Sequence, residues 1–111
     1  MHGVTVYIAS PYTLGDVAAN VRRSMEYTHQ LMDLGYAPFC PLLTHFMHIY
    51  TPRPYEDWMK LDTEWLLRCD CVLRLDGKSA GAEREIAIAK AEGIPVVYSI
   101  DELEKMFRRP V

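Results

Sequence analysis

No basic stripe runs along this chain. Its 12 Lys and Arg are interspersed with 15 Asp and Glu, for a formal net charge of −3. A nucleic-acid polymer is held by a contiguous cationic footprint, so DNA or RNA is not an expected partner. No apolar run approaches the roughly 20 residues that cross a bilayer, so no membrane partner is expected either. Cysteine is scarce and odd in number: Cys40, Cys69 and Cys71. One residue separates Cys69 from Cys71, which is outside metal-ligand spacing, and all three read as small buried hydrophobes. Unpaired cysteines without a signal peptide point to the reducing cytoplasm. Repeats, low-complexity tracts and internal linkers are also missing. The 111 residues, half of them apolar, therefore read as one domain, 1–111, with a single real core.

What is present is an alternation of strand and helix patterns. Val4 to Ala9 is β-rich and almost continuously apolar, the mark of a buried strand. Ser10 to Gly15 is a loop and Asp16 a helix N-cap. Val17, Val21, Met25, Thr28 and Met32 then recur at helical spacing until Gly35. Ala37 to Pro41 reads as a second strand, and Thr44 to Pro54, "THFMHIYTPRP", as a loop with at most one helical turn. A helix follows from Tyr55 to Arg68, then a strand from Cys71 to Leu75. A further helix spans Ala80 to Glu92, a strand Ile94 to Tyr98, and a short helix Asp101 to Phe107.

Such alternation specifies an α/β domain with a mostly parallel sheet, because each helix carries the chain back across a sheet face. Right-handed crossovers favour a flavodoxin-like, three-layer arrangement of four to five strands in the order 2-1-3-4. Its switch point lies between the first and third strands. Ala9-Ser10-Pro11 and Asp76-Gly77-Lys78-Ser79 would emerge there, so this crevice is the expected ligand site.

Three residues near that crevice carry chemistry. On the helix from Ala80, the buried stripe is Ala82, Ile86 and Ala89, and Glu85 lies about 60° from its centre. It either faces the crevice or reaches solvent to pair with Arg84 or Lys78. On the helix from Tyr55, Asp62 interrupts a face of Tyr55, Trp58, Trp65, Leu66 and Cys69. An ionised Asp there is costly unless it is hydrogen-bonded or shifted in pKa, so it marks a site or caps a loop. Tyr7, two residues before the end of the first strand, either fills the core or hydrogen-bonds a carboxylate at the crevice floor. His45 and His48 could share a face, yet no acid or Cys completes a metal set, and pocket-lining or loop-packing roles fit better. No metal or cofactor is expected. Ser10 has no GxSxG elbow around it and is not a nucleophile candidate.

"VYIASPY", "LDTEWLLRCDCVLRL" and "SAGAEREIAIAKAEGIPV", in this order and spacing, resemble the nucleoside 2-deoxyribosyltransferase superfamily. That group includes nucleoside deoxyribosyltransferases and nucleoside 5′-monophosphate N-glycosidases. The likeness spans roughly Val4 to Tyr98 and is greatest for a small bacterial and phage branch known as a domain of unknown function. It implies that the superfamily's Asp/Ser-x-Gly-x-x-x-Glu motif falls on Ser79, Gly81 and Glu85, with Glu85 the catalytic carboxylate. It places the Asp that assists at the nucleobase on Asp62 and the tyrosine that orients the Glu on Tyr7. The crevice residues Ser10, Pro11, Gly77, Ser79 and Gly81 become the expected substrate-binding set.

The implied activity is cleavage or transfer at the N-glycosidic bond of a nucleoside or its 5′-monophosphate, in a homo-oligomer, dimer or tetramer. The aromatic stretch with Phe46, Met47, Tyr50 and Tyr55 would supply an apolar patch for that assembly. Ser79, where the transferases usually carry Asp, favours a phosphorylated ligand, because a helix N-terminus with Ser can bind phosphate. Glu83 replaces a small residue and adds opposing charge. The tail "KMFRRPV" offers no evident counterpart of the polar residue with which the transferases complete a neighbour's site. Two other functions fit the same pocket: a catalytically silent nucleotide-binding or sensing module, and cleavage of a related N-glycoside such as NAD.

Overall fold

The structure, a computed structural model, describes residues 3–107. The elements are β1 (Thr5–Ala9), α1 (Val17–Asp33), β2 (Ala37–Phe39), α2 (Thr44–Tyr50), α3 (Tyr55–Leu66), β3 (Cys71–Arg74), α4 (Ala80–Ala91), β4 (Val96–Val97) and α5 (Ile100–Phe107). All four strands are parallel, in the order β2-β1-β3-β4. The expected flavodoxin-like topology is thus observed, with Tyr7 paired to Phe39 on one side and Val72 on the other.

Strand alternation divides the core in two. Val6, Ile8, Cys71 and Leu73 pack with Val21 and Leu31 of α1 and Leu103 of α5. Tyr7, Ala9 and Val72 face the other way, onto Leu66 of α3 and Ala82, Ile86 and Ala89 of α4. A period of two therefore puts Tyr7 on the same side of the sheet as α3 and α4. Helices on both faces leave β1 and β3 almost wholly buried, which is why these strands, Thr5 and Arg74 apart, carry apolar residues on both faces rather than alternating.

Several local expectations differ from the structure. Thr44–Tyr50 forms a helix rather than a loop, although none of its residues is buried. A helix without a core face gives no apolar periodicity to read. It is started instead by a 3-10 turn at Pro41–Leu43, with Pro41 in its first turn and the Thr44 hydroxyl donating to the Pro41 carbonyl at 2.8 Å. β2 consequently stops at Phe39 rather than Pro41. On α1 the buried stripe is Val21, Ser24 and Leu31, while Met25 and Met32 are exposed. On α3 it is Met59, Asp62 and Leu66, with Tyr55 and Trp65 about half exposed. β4 is shorter than expected, at Val96–Val97. No helix among the described residues is long and apolar enough to cross a membrane. Arg108 to Val111, most of the tail singled out above, lie outside the described residues.

Candidate active site

The loops after β1 and β3 border a cavity of about 390 Å³. Ser10 contributes from the end of β1, Asp62 from α3, and Ser79, Gly81 and Glu85 from the start of α4. Switch-point geometry thus collects residues far apart in the chain. Tyr7 lies beneath the cavity, fully buried, and its phenol donates to Glu85 Oε2. Its ring stacks on Phe39 at 5.7 Å between centroids, and Phe39 stacks on Trp65 at 5.6 Å. That column fixes where the phenol points.

Glu85 is only 7% exposed, so the solvent-facing alternative is overturned. Arg84 pairs instead with Glu56 at 3.1 Å. Burial pushes the Glu85 carboxyl up to about 7, against the hydrogen bond from Tyr7 and the charge of Arg74, with the nearby Asp62 raising it further. Asp62 is also raised to about 7, by burial. Burial and then the neighbouring carboxylates raise the Tyr7 phenol, so Tyr7 keeps its proton and acts as a donor. Two carboxyls that gain and lose protons near neutrality can divide the roles of acid and anion between them. Asp62 Oδ1 and Ser10 Oγ are buried with no hydrogen-bond partner among the described residues. Such atoms are costly in a finished core and are well suited to a ligand.

The turn from β3 to α4 is closely fitted. Ser79 caps α4, its Oγ accepting from Ala82 N at 3.1 Å. A Cβ on Gly81 would come within 3.1 Å of Tyr55 Oη, so glycine lets the two helix starts approach. Pro11 and Gly77 do not line the cavity; they pack on each other beside it. Gly77 has φ +117°, and a Cβ there would meet Pro11 Cγ at 2.9 Å. Their contact shapes the two loops that carry Ser10 and Ser79.

Residues 4–99 match the family described as Domain of unknown function (DUF7768). The chain belongs to this family. No curated protein matches it. Among solved structures it is similar to a 2-deoxyribosyltransferase from the psychrotolerant bacterium Bacillus psychrosaccharolyticus, with a TM-score of 0.62 and 18% identity. The likeness covers 88% of this chain and 79% of that one. At such identity the two share a fold.

In this DUF7768 chain, sequence reasoning missed one buried charge. Arg74 donates to the carbonyls of Leu75 and Gly77, the latter at 2.9 Å, and meets Glu83 Oε1 at 2.9 Å. Glu83 is therefore paired rather than adding free negative charge to the motif. The signal was available: an Arg inside the apolar run "CVLRL" must find partners when buried. The helix α2 was also missed, although its His45 and His48 were expected as pocket-lining or loop-packing residues. His45 Nδ1 lies 2.6 Å from Tyr12 Oη, and His48 Nδ1 accepts from Trp58 Nε1 at 2.9 Å. Both histidines line the cavity.

Proposed function

We propose that this DUF7768 protein breaks, or transfers across, the N-glycosidic bond of a nucleoside or nucleoside 5′-monophosphate. The observation that carries this reading is the hydrogen bond from the buried Tyr7 to Glu85, a carboxylate that lines the same cavity as Asp62. Glu85 acts at C1′ of the sugar, as an anion that stabilises the oxocarbenium-like state or as the nucleophile that captures it. The C1′–N bond breaks with its electron pair going to the base, and protonated Asp62 supplies the proton that base needs. Water or a second base then takes the sugar. Tyr7 holds the Glu85 rotamer, which lowers the orientational cost of reaching the transition state. Ser10, Ser79 and Gly81 border the sugar and its substituents, and Pro11 and Gly77 set the shape of the loops. The shared fold with a 2-deoxyribosyltransferase supports the same class of chemistry.

The protein also self-associates in this reading, through the exposed Phe46, Met47, Ile49 and Tyr50 of α2. Sedimentation at high micromolar concentration checks it, and a clean monomer removes it. The activity is tested by incubating the protein with nucleosides and monophosphates, with and without free bases, and separating released or exchanged base by chromatography. Binding without any cleavage across the panel would make the protein a nucleotide-sensing module instead.

A further inference from the structure

The acidic pair accounts for one part of the cavity, and another part of its wall carries the opposite charge. Arg53, in the link between α2 and α3, is the only Lys or Arg among the described residues that line the cavity. Its ionic partner, Asp57, stands 3.5 Å away, and the Arg53 side chain is 57% exposed. That is well beyond the roughly 2.8 Å of a short charge-assisted bond, so the guanidinium retains donors for another anion.

His48 lies against the same link. Its Nδ1 accepts from the Arg53 backbone N–H at 3.2 Å and from Trp58 Nε1 at 2.9 Å. A ring nitrogen that accepts holds no proton, which assigns the hydrogen to Nε2 and makes that atom a donor. The first turns of α3 and α4 also meet here. Tyr55 Oη lies against Gly81, and Glu56 pairs with Arg84 at 3.1 Å. Two helix N-termini thus add partial positive charge to the wall that Arg53 borders. Of the acids in those first turns, Glu56 is held by Arg84 and Glu83 by Arg74. Asp57 remains as the competitor for Arg53.

We infer that Arg53, assisted by His48, forms an oxyanion subsite that takes the phosphate ester of the ligand, so that the ligand is a nucleotide rather than a nucleoside. This rests on the reading of the cavity as a site for N-glycosides. An arriving phosphate displaces the loose Asp57 carboxylate from Arg53, and the fork of guanidinium N–H groups matches its oxygens.

Calorimetry on the wild type compares ribose 5-phosphate with ribose, adenosine 5′-monophosphate with adenosine, and inorganic phosphate alone. Each ester should bind about tenfold to a hundredfold more tightly than its phosphate-free partner. Arg53→Gln should erase that preference, Arg53→Lys should restore part of it, and Asp57→Asn should strengthen it. Both positions are substantially exposed, and a thermal melt of each variant verifies its fold. Equal binding of ester and parent by the wild type overturns the inference, as does an unchanged preference in Arg53→Gln. Inorganic phosphate binding as tightly as ribose 5-phosphate overturns the nucleotide assignment, because the subsite then holds a free anion. Base release is not read in this experiment. A protein that binds phosphate esters through Arg53 yet cleaves nothing loses the glycosidic reading and keeps the subsite.

Discussion

Tyr7 and Glu85 lie 78 residues apart in the chain and share a buried hydrogen bond, the phenol donating to the carboxylate. A hydrogen bond to the charged form favours ionisation, so Tyr7 opposes the upward push that burial gives Glu85. Removing it in Tyr7→Phe should raise the Glu85 pKa above about 7. If Glu85 acts as an anion, the acidic limb of the rate profile then moves to higher pH. A profile of kcat/KM from pH 5 to 9 checks this; an unshifted acidic limb would detach Tyr7 from the chemistry.

Glu85→Gln should leave the fold and ligand binding largely intact while suppressing base release. The amide keeps the size of the side chain and loses the full charge that stabilises an oxocarbenium ion. Loss of such an electrostatic contribution costs about a hundredfold to a thousandfold in rate, and loss of a nucleophile costs more. Single-turnover assays with a labelled substrate measure it, and cleavage at the wild-type rate would assign the activity to other residues.

Asp62→Asn should stabilise the protein at alkaline pH. The Asp62 pKa is raised from 3.8 to about 7 on folding. Between roughly pH 4 and 7 the unfolded chain therefore binds fewer protons at this site than the native one. Stability is fully retained below pH 4, falls as pH rises through that window, and levels off above it. Asn does not titrate, so the variant should lack this loss and gain up to about 4 kcal/mol at pH 8. Glu85 titrates in the same direction and should leave a residual slope. Urea denaturation at pH 4 and pH 8 provides the comparison, and a variant no more stable than wild type at pH 8 refutes it.

Gly77→Ala should destabilise the fold by about 1–3 kcal/mol. The residue sits at φ +117° with Pro11 against the position of a Cβ, so both the backbone and the neighbouring ring must move. The loops bearing Ser10 and Ser79 should shift with them, weakening binding of any ligand that the cavity takes. Denaturation midpoints and calorimetry test the two effects separately.

The alternation of apolar β-rich runs with helical patterns was enough to place the sheet order and the crevice. Buried parallel strands leave few other ways to connect 111 residues. Glu85 and Asp62 were legible for a related reason. Each is a carboxylate on or beside a helix stripe that otherwise faces the core, and such a pattern is expensive without a purpose. Ser79 was legible as a helix cap by its position ahead of "AGAEREI".

Tertiary packing decided the rest. The helix α2 buries none of its residues, so no hydrophobic period announced it; its His45 and His48 were legible as pocket-lining or loop-packing residues, but Arg53 of the cavity wall went unread. Met25 and Met32 occupy helical spacing as good as that of Leu31, yet it is Leu31 that packs into the core against the sheet while both methionines are exposed. Whether Glu85 reached solvent or turned inward was open from periodicity alone. It was settled by the phenol of Tyr7, brought beneath α4 by strand pairing, because a long-range hydrogen bond leaves no trace in local sequence.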